Sequence, residues 1–419
     1  MSEKLKTFSN DPLWTGATPD IKRFISVKAG EYRLTSQQIR NLLMMQRDFE
    51  MWGEKNVSEV WRDVDRQKYK GKSASVQALA SVGKVWDDLK KRLSVYSGVP
   101  KPIEKIPLIY KLKDDNGPIL GRCPVASNKT RCCNLYTLDA VTNCGFDCSY
   151  CSIRTFYSKG AVFFDANLEE KLNNLKLGPS KTYHIGTGQS SDSLMWGNRS
   201  GLLDKLFAFA EKNGNVILEL KTKSANIDYL LKNKIPRNVI TTWTLNTPAI
   251  IKHEEWGTAS LDRRLGAAAK IAAKGALVGF HFHPIVRYLG WKEDYGKVVE
   301  RTIKEIPVEN VCMVSLGVPT FIKSVIRDLR NNNIPTKILQ MPLVEIAGKF
   351  SYPFKVKEEL FSTVYGYFKP WHDKAYFYLC MEDPELWPLI FGRRYDNNNE
   401  FEEAMKVYYF DKISKYYCD

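Results

Sequence analysis

The feature that most constrains the fold is an alternation of short apolar segments with helical segments, which begins near residue 134. Segments rich in β-branched and aromatic residues predict six strands, at 135–141, 182–186, 216–222, 239–245, 276–282 and 311–316. Helical spacing fills several intervals, as at 202–212, 261–274 and 295–304. Successive βα units form parallel strands through right-handed crossovers. We therefore predict an α/β fold, in which the sheet either closes partly into a (β/α)6 barrel or stays open and doubly wound.

The segments on either side of this region differ in pattern. Residues 1–100 show helical apolar spacing at 36–45 and 76–93, and the Gly- and Pro-containing stretch at 98–102 predicts a boundary. We predict three parts: a helical N-terminal region at 1–100, a (β/α)6 core at 101–335 and a C-terminal α+β cap or substrate-binding region at 336–419. The last part contains an apolar run at 376–381 and a helix candidate at 399–417.

Composition allows a sizeable folded core. Of 419 residues, 44% are hydrophobic and 12% aromatic, which excludes a globally disordered chain. No run of about 18 uncharged apolar residues occurs, and the segment from Met1 to Lys6 lacks the apolar core of a secretory signal. The nine cysteines are clustered rather than spread as a disulfide framework. We expect a cytoplasmic protein without a membrane segment.

The charge balance bears on the partner. The chain carries 62 Lys and Arg against 47 Asp and Glu, a formal net charge of +15. Positive charge favours a polyanion because neutralised phosphates release counterions. Basic and aromatic residues also lie side by side, as in Arg393-Arg394-Tyr395, a mixture that suits nucleic acid. A well-solvated basic surface explains the same composition, so charge alone leaves both interpretations open.

Cys144, Cys148 and Cys151 follow directly after the first predicted strand, in the sequence CGFDCSYC. In a tight loop, three thiolates at this spacing converge on one metal centre. Structural zinc sites normally have four protein ligands, whereas three ligands to an iron–sulfur cluster leave one iron open to a small molecule. The alternatives are a zinc loop completed by another residue and a group of three buried thiols.

This C-x-x-x-C-x-aromatic-C spacing resembles the signature of the radical S-adenosylmethionine (AdoMet) superfamily. The resemblance implies a [4Fe–4S] cluster on Cys144, Cys148 and Cys151, with its open iron bound by the amino and carboxylate groups of AdoMet. It also implies that an electron splits AdoMet into methionine and a 5′-deoxyadenosyl radical, and that a donor such as flavodoxin or ferredoxin supplies the electron. Tyr150 is expected to lie near the bound nucleoside.

The region 123–392 resembles more narrowly the spore photoproduct lyase family, which acts on a thymine-dimer lesion in DNA. The segments that carry the resemblance are SSD at 190–192, KTK at 221–223, WTLN at 243–246, WGTAS at 256–260, VGFHFHP at 278–284, GW at 290–291 and YLCMED at 378–383. The resemblance implies that Lys223 pairs with the AdoMet carboxylate. It implies that the hydroxyls of Ser191 and Thr244 lie beside the methionine or ribose portion of AdoMet. It also implies that Asp192 accepts a hydrogen bond from the AdoMet ammonium or from a ribose hydroxyl.

Two positions depart from this family. Its cysteine hydrogen-atom donor and its assisting tyrosine fall on Gln189 and Ser152, whose bonds to hydrogen are much stronger than that of a thiol. Upstream, Cys123, Cys132 and Cys133 are candidate replacements for the donor. An accessory metal site and buried small hydrophobic residues are the alternatives.

His281 and His283 alternate in the fifth predicted strand and therefore point to one face. Substrate hydrogen bonding or a satisfied core pair is favoured over a metal site, because no third ligand is apparent.

These observations predict a radical AdoMet lyase that acts on damaged DNA. The absent cysteine donor leaves open another nucleic-acid or nucleotide substrate. A non-enzymatic iron–sulfur protein that binds nucleic acid is the second alternative.

Overall fold

The structure is a computed structural model that describes residues 3–67, 69–71, 73–100, 107–114, 117–123, 129–152, 154–156, 160–346 and 348–416. The strands are β1 (Ile109–Lys113), β2 (Leu120–Arg122), β3 (Tyr136–Leu138), β4 (Val141–Thr142), β5 (Asp147–Cys148), β6 (Ala161–Asp165), β7 (Tyr183–Gly186), β8 (Val216–Thr222), β9 (Val239–Thr244), β10 (Glu255–Trp256), β11 (Val278–Phe282), β12 (Val311–Leu316), β13 (Thr320–Phe321), β14 (Val344–Ile346), β15 (Lys349–Ser351) and β16 (Tyr376–Leu379).

The α-helices are α1 (Glu3–Lys6), α2 (Pro12–Thr15), α3 (Pro19–Glu31), α4 (Ser36–Trp52), α5 (Val57–Gln67), α6 (Ala74–Lys91), α7 (Leu168–Asn173), α8 (Leu202–Lys212), α9 (Asp228–Lys232), α10 (Pro248–Glu254), α11 (Leu261–Ala273), α12 (Trp291–Glu305), α13 (Lys323–Asn331), α14 (Phe354–Tyr367), α15 (Leu386–Phe391) and α16 (Asn398–Tyr416). Short 3-10 helices span Arg199–Gly201, Val308–Asn310 and Lys369–Trp371.

The main sheet has the strand order β16-β12-β11-β9-β8-β7-β3-β2. All neighbours from β3 to β16 pair in parallel, and β2 is an antiparallel edge strand. The α/β prediction and its six parallel strands are confirmed. Strands β8 and β12 have the predicted bounds, whereas the other four are shorter than predicted. The apolar run at 376–381 supplies one further parallel strand, β16.

The central strands are apolar because helices cover the sheet. Strand β12 is buried at every position and β8 at nearly every position, which is the pattern of a parallel sheet enclosed on both faces. Helix α11 begins at Leu261 because the Ser260 hydroxyl accepts a hydrogen bond from the amide of Arg263.

The two edges of this sheet meet through a backbone bridge. The amide of Arg131, in the segment between β2 and β3, donates to the carbonyl of Glu382, just after β16, at 2.8 Å. The Arg131 side chain donates from Nε to the carbonyl of Tyr395 at 2.8 Å, and the Cys132 amide donates to Oδ1 of Asn398 at 3.1 Å. These contacts join the ends of a curled sheet.

By contacts, the chain divides into two units. One contains Met1–Glu104, Arg287–Leu289 and Thr320–Pro353, and the other contains Lys105–Val286, Gly290–Pro319 and Phe354–Asp419. The segment at 320–353 thus groups with the N-terminal helices. The three-part division at about 100 and 335 stays a prediction.

The first unit is held together by a buried carboxylate. Asp48 on α4 is fully buried, and its two oxygens accept hydrogen bonds from Nε and Nη2 of Arg330 on α13, both at 2.8 Å. Nε1 of Trp86 on α6 donates to the same carboxylate at 2.9 Å. One charged group therefore links three helices that are distant in sequence.

Among the described residues, no helix combines the length and apolar character that a membrane crossing requires.

We expect Asp48→Asn to lower the free energy of unfolding by about 3 kcal/mol, because it leaves the Arg330 guanidinium without a charged partner. The matched control is Asp63→Asn, which removes an exposed pair with Arg66 and should cost less than about 1 kcal/mol. Urea unfolding measures both. Equal effects of the two substitutions would contradict this role of Asp48.

Candidate active site

The cysteine loop begins where β4 ends and is anchored at both ends. Asn143 adopts a left-handed conformation with φ of 74°, and its side-chain Oδ1 accepts a hydrogen bond from the Cys144 amide at 2.8 Å. Four residues later, β5 pairs antiparallel with β10, with Cys148 opposite Glu255. The Ser149 amide donates to the carbonyl of Glu254 at 3.0 Å. The loop is therefore attached to the chain segment that follows β9.

The three cysteines of the loop lie within electrostatic range of one another. Burial raises the pKa of the Cys144 thiol well above its ordinary value, and negative charge on Asp192, Cys148 and Cys151 raises it further. Burial raises the pKa of Cys148 to about 12, against the lowering effect of the Lys223 ammonium. The three thiols of the loop therefore act on one another electrostatically, and the Lys223 cation lies near Cys148.

Glu255 connects this loop to the sheet. Its carboxylate is fully buried, forms an ion pair with Arg264 and accepts a hydrogen bond from the Tyr150 hydroxyl. Burial raises the pKa of Glu255, but the Arg264 guanidinium and the Lys223 ammonium outweigh that effect and hold this pKa below its ordinary value. Arg264 also donates from Nη1 to the carbonyl of Thr244 at 2.8 Å, at the carboxyl end of β9. Tyr150 and Thr244 are therefore positioned by one buried ion pair.

Lys223 follows directly after β8 and faces the cysteine loop. Its Nζ lies 5.7 Å from the centre of the Tyr150 ring. Burial lowers the pKa of Lys223, but negative charge on Cys148 and Glu255 outweighs that effect and holds this pKa above its ordinary value. The side chain is therefore a cation. A half-buried cation near Cys148 suits the carboxylate of a small ligand.

Asp192 organises the loop that follows β7. Its Oδ1 accepts hydrogen bonds from the amides of Leu194 and Met195, at 3.1 and 2.9 Å, and from the Thr222 hydroxyl at 2.7 Å. Its Oδ2 accepts a hydrogen bond from the Lys223 amide at 2.7 Å. With four donors on two oxygens, the carboxylate joins this loop to the end of β8 and sets the backbone of Lys223.

Ser191 and Gln189 lie in the same loop. The Ser191 hydroxyl donates to the carbonyl of Asn143 at 2.7 Å and accepts from Nε1 of Trp196 at 3.0 Å. Oε1 of Gln189 is buried, with no hydrogen-bond partner among the described residues. Gly188 between β7 and Gln189 leaves no room for a side chain, because a Cβ there would lie 2.5 Å from the carbonyl oxygen of Lys221.

The donor set fits the implied cluster and cofactor. The described residues include no group of three or more His, Cys, Asp or Glu side chains arranged around a single metal ion. Each cysteine of a four-iron cluster binds a different iron, so that cluster does not require single-ion geometry. Cys148 is buried and Cys144 and Cys151 are partly exposed, and three thiols whose anions repel one another are a donor set that iron neutralises; Lys223 supplies the cation for a carboxylate. The assignments of Ser191, Asp192, Thr244 and Tyr150 to AdoMet stay predictions.

A second group of thiols forms where the edges of the sheet meet. Cys123 donates its amide to the carbonyl of Leu135 at 3.1 Å, and Cys380 donates its amide to the carbonyl of Leu316 at 2.8 Å. A hydrogen bond with Cys132 and burial raise the pKa of Cys133 well above its ordinary value, and Cys380 and Cys123 raise it further. We call Cys123, Cys132, Cys133 and Cys380 the edge thiol group.

The edge thiol group lies close to the site described above. The charge of Lys221 on β8 acts on Cys380 and is itself within range of Cys123 and Lys223. The sequence signal for Cys380 was its place in the YLCMED segment, but its approach to the upstream cysteines depends on the Arg131–Glu382 bridge. Sequence reasoning did not identify that bridge.

A buried carboxylate on β8 is a further polar centre that sequence reasoning missed. Oε2 of Glu219 lies 2.8 Å from Nε2 of His184, and Oε1 lies 2.6 Å from Nε2 of His281 and 2.8 Å from the Thr242 hydroxyl. Nε2 of His283 lies 2.9 Å from the Ser315 hydroxyl. His281 of β11 and His283, which follows that strand, are therefore both hydrogen-bonded within the core. A glutamate inside an otherwise apolar strand was the available signal.

This network predicts acid sensitivity. Burial and Lys221 lower the pKa of His281 to about 4, whereas an unfolded histidine titrates near ~6.5. The unfolded chain therefore takes up the proton first, and the free energy of unfolding falls as pH drops from about 6.5 to 4. We expect His281 to contribute about 2 kcal/mol of this loss by pH 4.5. Urea unfolding of His281→Gln should show a shallower pH dependence, and an unchanged slope would contradict the assignment.

A loop of three cysteines after the first parallel strand of a curled sheet, with a cation after the third, defines a protein of the radical AdoMet superfamily. The family model of spore photoproduct lyase matches residues 123–345, just over half of the chain. The chain belongs to the spore photoproduct lyase family.

Curated relatives match a shorter region. The chain is 30% identical over 172 residues to spore photoproduct lyase of Clostridium acetobutylicum, which covers 40% of this chain and 51% of the relative. It is 27% identical over 177 residues to the Bacillus subtilis (strain 168) lyase, covering 41% and 52%. The chain thus spans about half the length of the curated relatives it matches.

Solved structures share the fold. A spore photoproduct lyase complexed with dinucleoside spore photoproduct is 21% identical, with a TM-score of 0.55 over 64% of this chain and 82% of that chain. A double mutant with bound AdoMet and dinucleoside spore photoproduct is 23% identical, with a TM-score of 0.54 over 68% and 87%.

Proposed function

We propose that this protein is a radical AdoMet enzyme that acts on a damaged nucleic acid, with a thymine-dimer-type lesion in DNA as the first candidate. The observation that carries the proposal is the loop that holds Cys144, Cys148 and Cys151 within electrostatic range of one another, with the Lys223 cation near Cys148. Membership of the spore photoproduct lyase family supports it.

The residues at the site divide the work of binding. Cys144, Cys148 and Cys151 hold a [4Fe–4S] cluster, and the Lys223 ammonium pairs with the carboxylate of AdoMet. When bound, cluster and AdoMet together supply one-electron chemistry that begins with hydrogen-atom abstraction. Tyr150 is held by Glu255 with its ring near the Lys223 ammonium, where the bound nucleoside is expected. Ser191, Thr244 and Asp192 complete the AdoMet contacts, although the carboxylate of Asp192 already accepts hydrogen bonds within the chain.

The substrate class is supported by two independent observations. The related structures contain dinucleoside spore photoproduct. The net charge of +15 favours a phosphate-bearing partner. Because Gln189 and Ser152 replace the thiol and phenol of the family, another nucleic-acid or nucleotide substrate is the alternative. An iron–sulfur protein that binds nucleic acid without catalysis is the second alternative.

We assign hydrogen-atom return to the edge thiol group. In this step a cysteine S–H bond breaks, a C–H bond forms on the product radical, and the unpaired electron moves to sulfur. An electron from a donor such as flavodoxin or ferredoxin, with a proton, restores the thiol. Cys123, Cys132 and Cys133 are joined in this assignment by Cys380, which lies within range of the Lys221 charge. A reducing cytoplasm suits this assignment, because the nine cysteines are clustered rather than spread as a disulfide framework.

We expect Cys148→Ala to abolish both the cluster and AdoMet cleavage, because a cluster ligand is lost. Cys133→Ala should keep the cluster. Anaerobic purification with iron analysis and detection of 5′-deoxyadenosine measures both properties. Loss of iron from Cys133→Ala would instead support a metal role for the edge thiol group. AdoMet cleavage by the wild-type protein separates the two enzyme hypotheses from the binding one.

We expect wild-type protein in D2O to place deuterium in the repaired product, since thiol hydrogens exchange with solvent. Cys380→Ala and Cys133→Ala should lower product formed per AdoMet cleaved at least tenfold. The matched control is Cys312→Ala, a fully buried cysteine of β12 outside the edge thiol group, which should keep the ratio. Mass spectrometry of the products formed from thymine-dimer DNA measures both the deuterium content and the product formed per AdoMet cleaved. AdoMet cleavage with unrepaired lesions in the wild type would contradict the lyase assignment.

A further inference from the structure

The N-terminal unit contains a cavity that the proposed radical chemistry does not use. Its volume is about 770 Å³, within the range of small-molecule sites. It is formed by helices α2, α4, α6 and α13 together with β15 and the segment before β14, all within one unit. The question is which ligand its walls suit.

The charged side chains that line the cavity are all basic. They are Arg40, Lys90, Lys323, Arg327 and Arg330. Lys323, Arg327 and Arg330 follow one another at helical spacing on α13 and therefore share a face of that helix. Asp48 neutralises Arg330 from inside the unit, so the other four cations determine what the cavity attracts.

The nearest carboxylates of these cations hold them weakly. Nη1 of Arg40 lies 3.4 Å from Asp11, Nζ of Lys90 lies 3.6 Å from Asp87, and Nζ of Lys323 lies 3.9 Å from Glu345. All three distances exceed those of strong charge-assisted hydrogen bonds, about 2.7–2.9 Å. Asp87 and Glu345 are also exposed, which makes their pairs weak in water. A phosphate can replace them.

The other walls suit a flat ring. Trp86 and Phe350 line the cavity, and each lies beside one of its cations: Nζ of Lys90 is 2.9 Å from the Trp86 ring centre, and Nζ of Lys323 is 5.8 Å from the Phe350 ring centre. The carboxamides that line it, from Gln37, Asn41 and Asn331, offer both donors and acceptors to the edge of a base.

We propose that this cavity is a nucleotide-binding site, with a phosphate held by Lys323 and Arg327 and a base against the wall formed by Trp86 and Phe350. Proteins bind single-stranded nucleic acid by combining basic side chains, which contact the phosphates, with aromatic rings, on which the bases stack. The same chemistry is offered by a free mononucleotide and by a nucleotide within a strand.

The test measures binding to the anaerobically purified full-length protein without AdoMet, so it does not depend on catalysis. A fluorescein-labelled dT12 strand is titrated by anisotropy at several salt concentrations. For Lys323→Ala/Arg327→Ala we expect about tenfold weaker binding. The slope of log K against log salt should be smaller by about 1.4, for two lost phosphate contacts on a single strand. The matched control is Arg62→Ala/Lys84→Ala, two exposed cations of the same unit outside the cavity, which should change affinity less than twofold.

Competition distinguishes the sources of the ligand. Thymidine 5′-monophosphate that binds the wild type but not the double variant identifies a free nucleotide, whereas binding of the strand alone identifies a strand. Equal binding by the double variant and its control overturns the site. An oligoglutamate peptide that competes as well as dT12 overturns nucleotide recognition in favour of an acidic peptide.

A second measurement covers a variant that fails to fold. A dT12 strand with one 5-iodouracil is cross-linked to the wild-type protein by ultraviolet light, and the adducts are located by mass spectrometry. We expect adducts on Trp86 or Phe350. Adducts confined to residues 105–286 would overturn the proposal.

Discussion

The ion pair between Glu255 and Arg264 is the interaction on which the arrangement of the site depends. Both side chains are fully buried, so neither charge is compensated by water. Removing one partner of such a pair costs about 3–5 kcal/mol, because the other charge is left alone in the core. The same carboxylate holds Tyr150, and its backbone pairs with Cys148. The cysteine loop is thus attached to α11 through one residue.

Asp192 is a second buried carboxylate that fixes the backbone of the site, on the side of β8. Its hydrogen bonds to the Thr222 hydroxyl and the Lys223 amide place the Lys223 ammonium at the end of β8. These two buried carboxylates position Tyr150 and Lys223, two residues of the proposed AdoMet site. A site built on strand ends and fixed by buried acids is rigid, as the proposed radical chemistry would require.

The fold could be predicted because its central strands are buried on both faces and read as mainly apolar runs: β12 is apolar at every position but Ser315, and β8 is apolar at 216–218 and 220. The first strand was predicted too long, since the chain leaves the main sheet after Leu138 and β4 pairs with β6 instead. The grouping of 320–353 with the N-terminal helices depends on the Asp48–Arg330 contact, which spans most of the chain. No local sequence pattern predicts a contact between residues as far apart as Asp48 and Arg330.

For the site, the spacing of the three cysteines predicts that one short loop carries them, and in the structure Cys148 and Cys151 act electrostatically on Cys144. Cys380 and Glu219 were different. Cys380 joins the upstream cysteines only through the bridge between the sheet edges, and the partners of Glu219 come from three other strands. The neighbours of Cys380 and of Glu219 are both set by the register between strands that are distant in sequence, and that register is a property of the folded sheet.

The central claim is that three cysteine ligands leave one iron of a four-iron cluster open to AdoMet. The most direct measurement is the electron paramagnetic resonance spectrum of the reduced, anaerobically reconstituted protein before and after addition of AdoMet. The account predicts a four-iron signal whose g values shift when AdoMet binds, with a weaker shift in Lys223→Ala. A signal that AdoMet leaves unchanged at saturating concentration would contradict it.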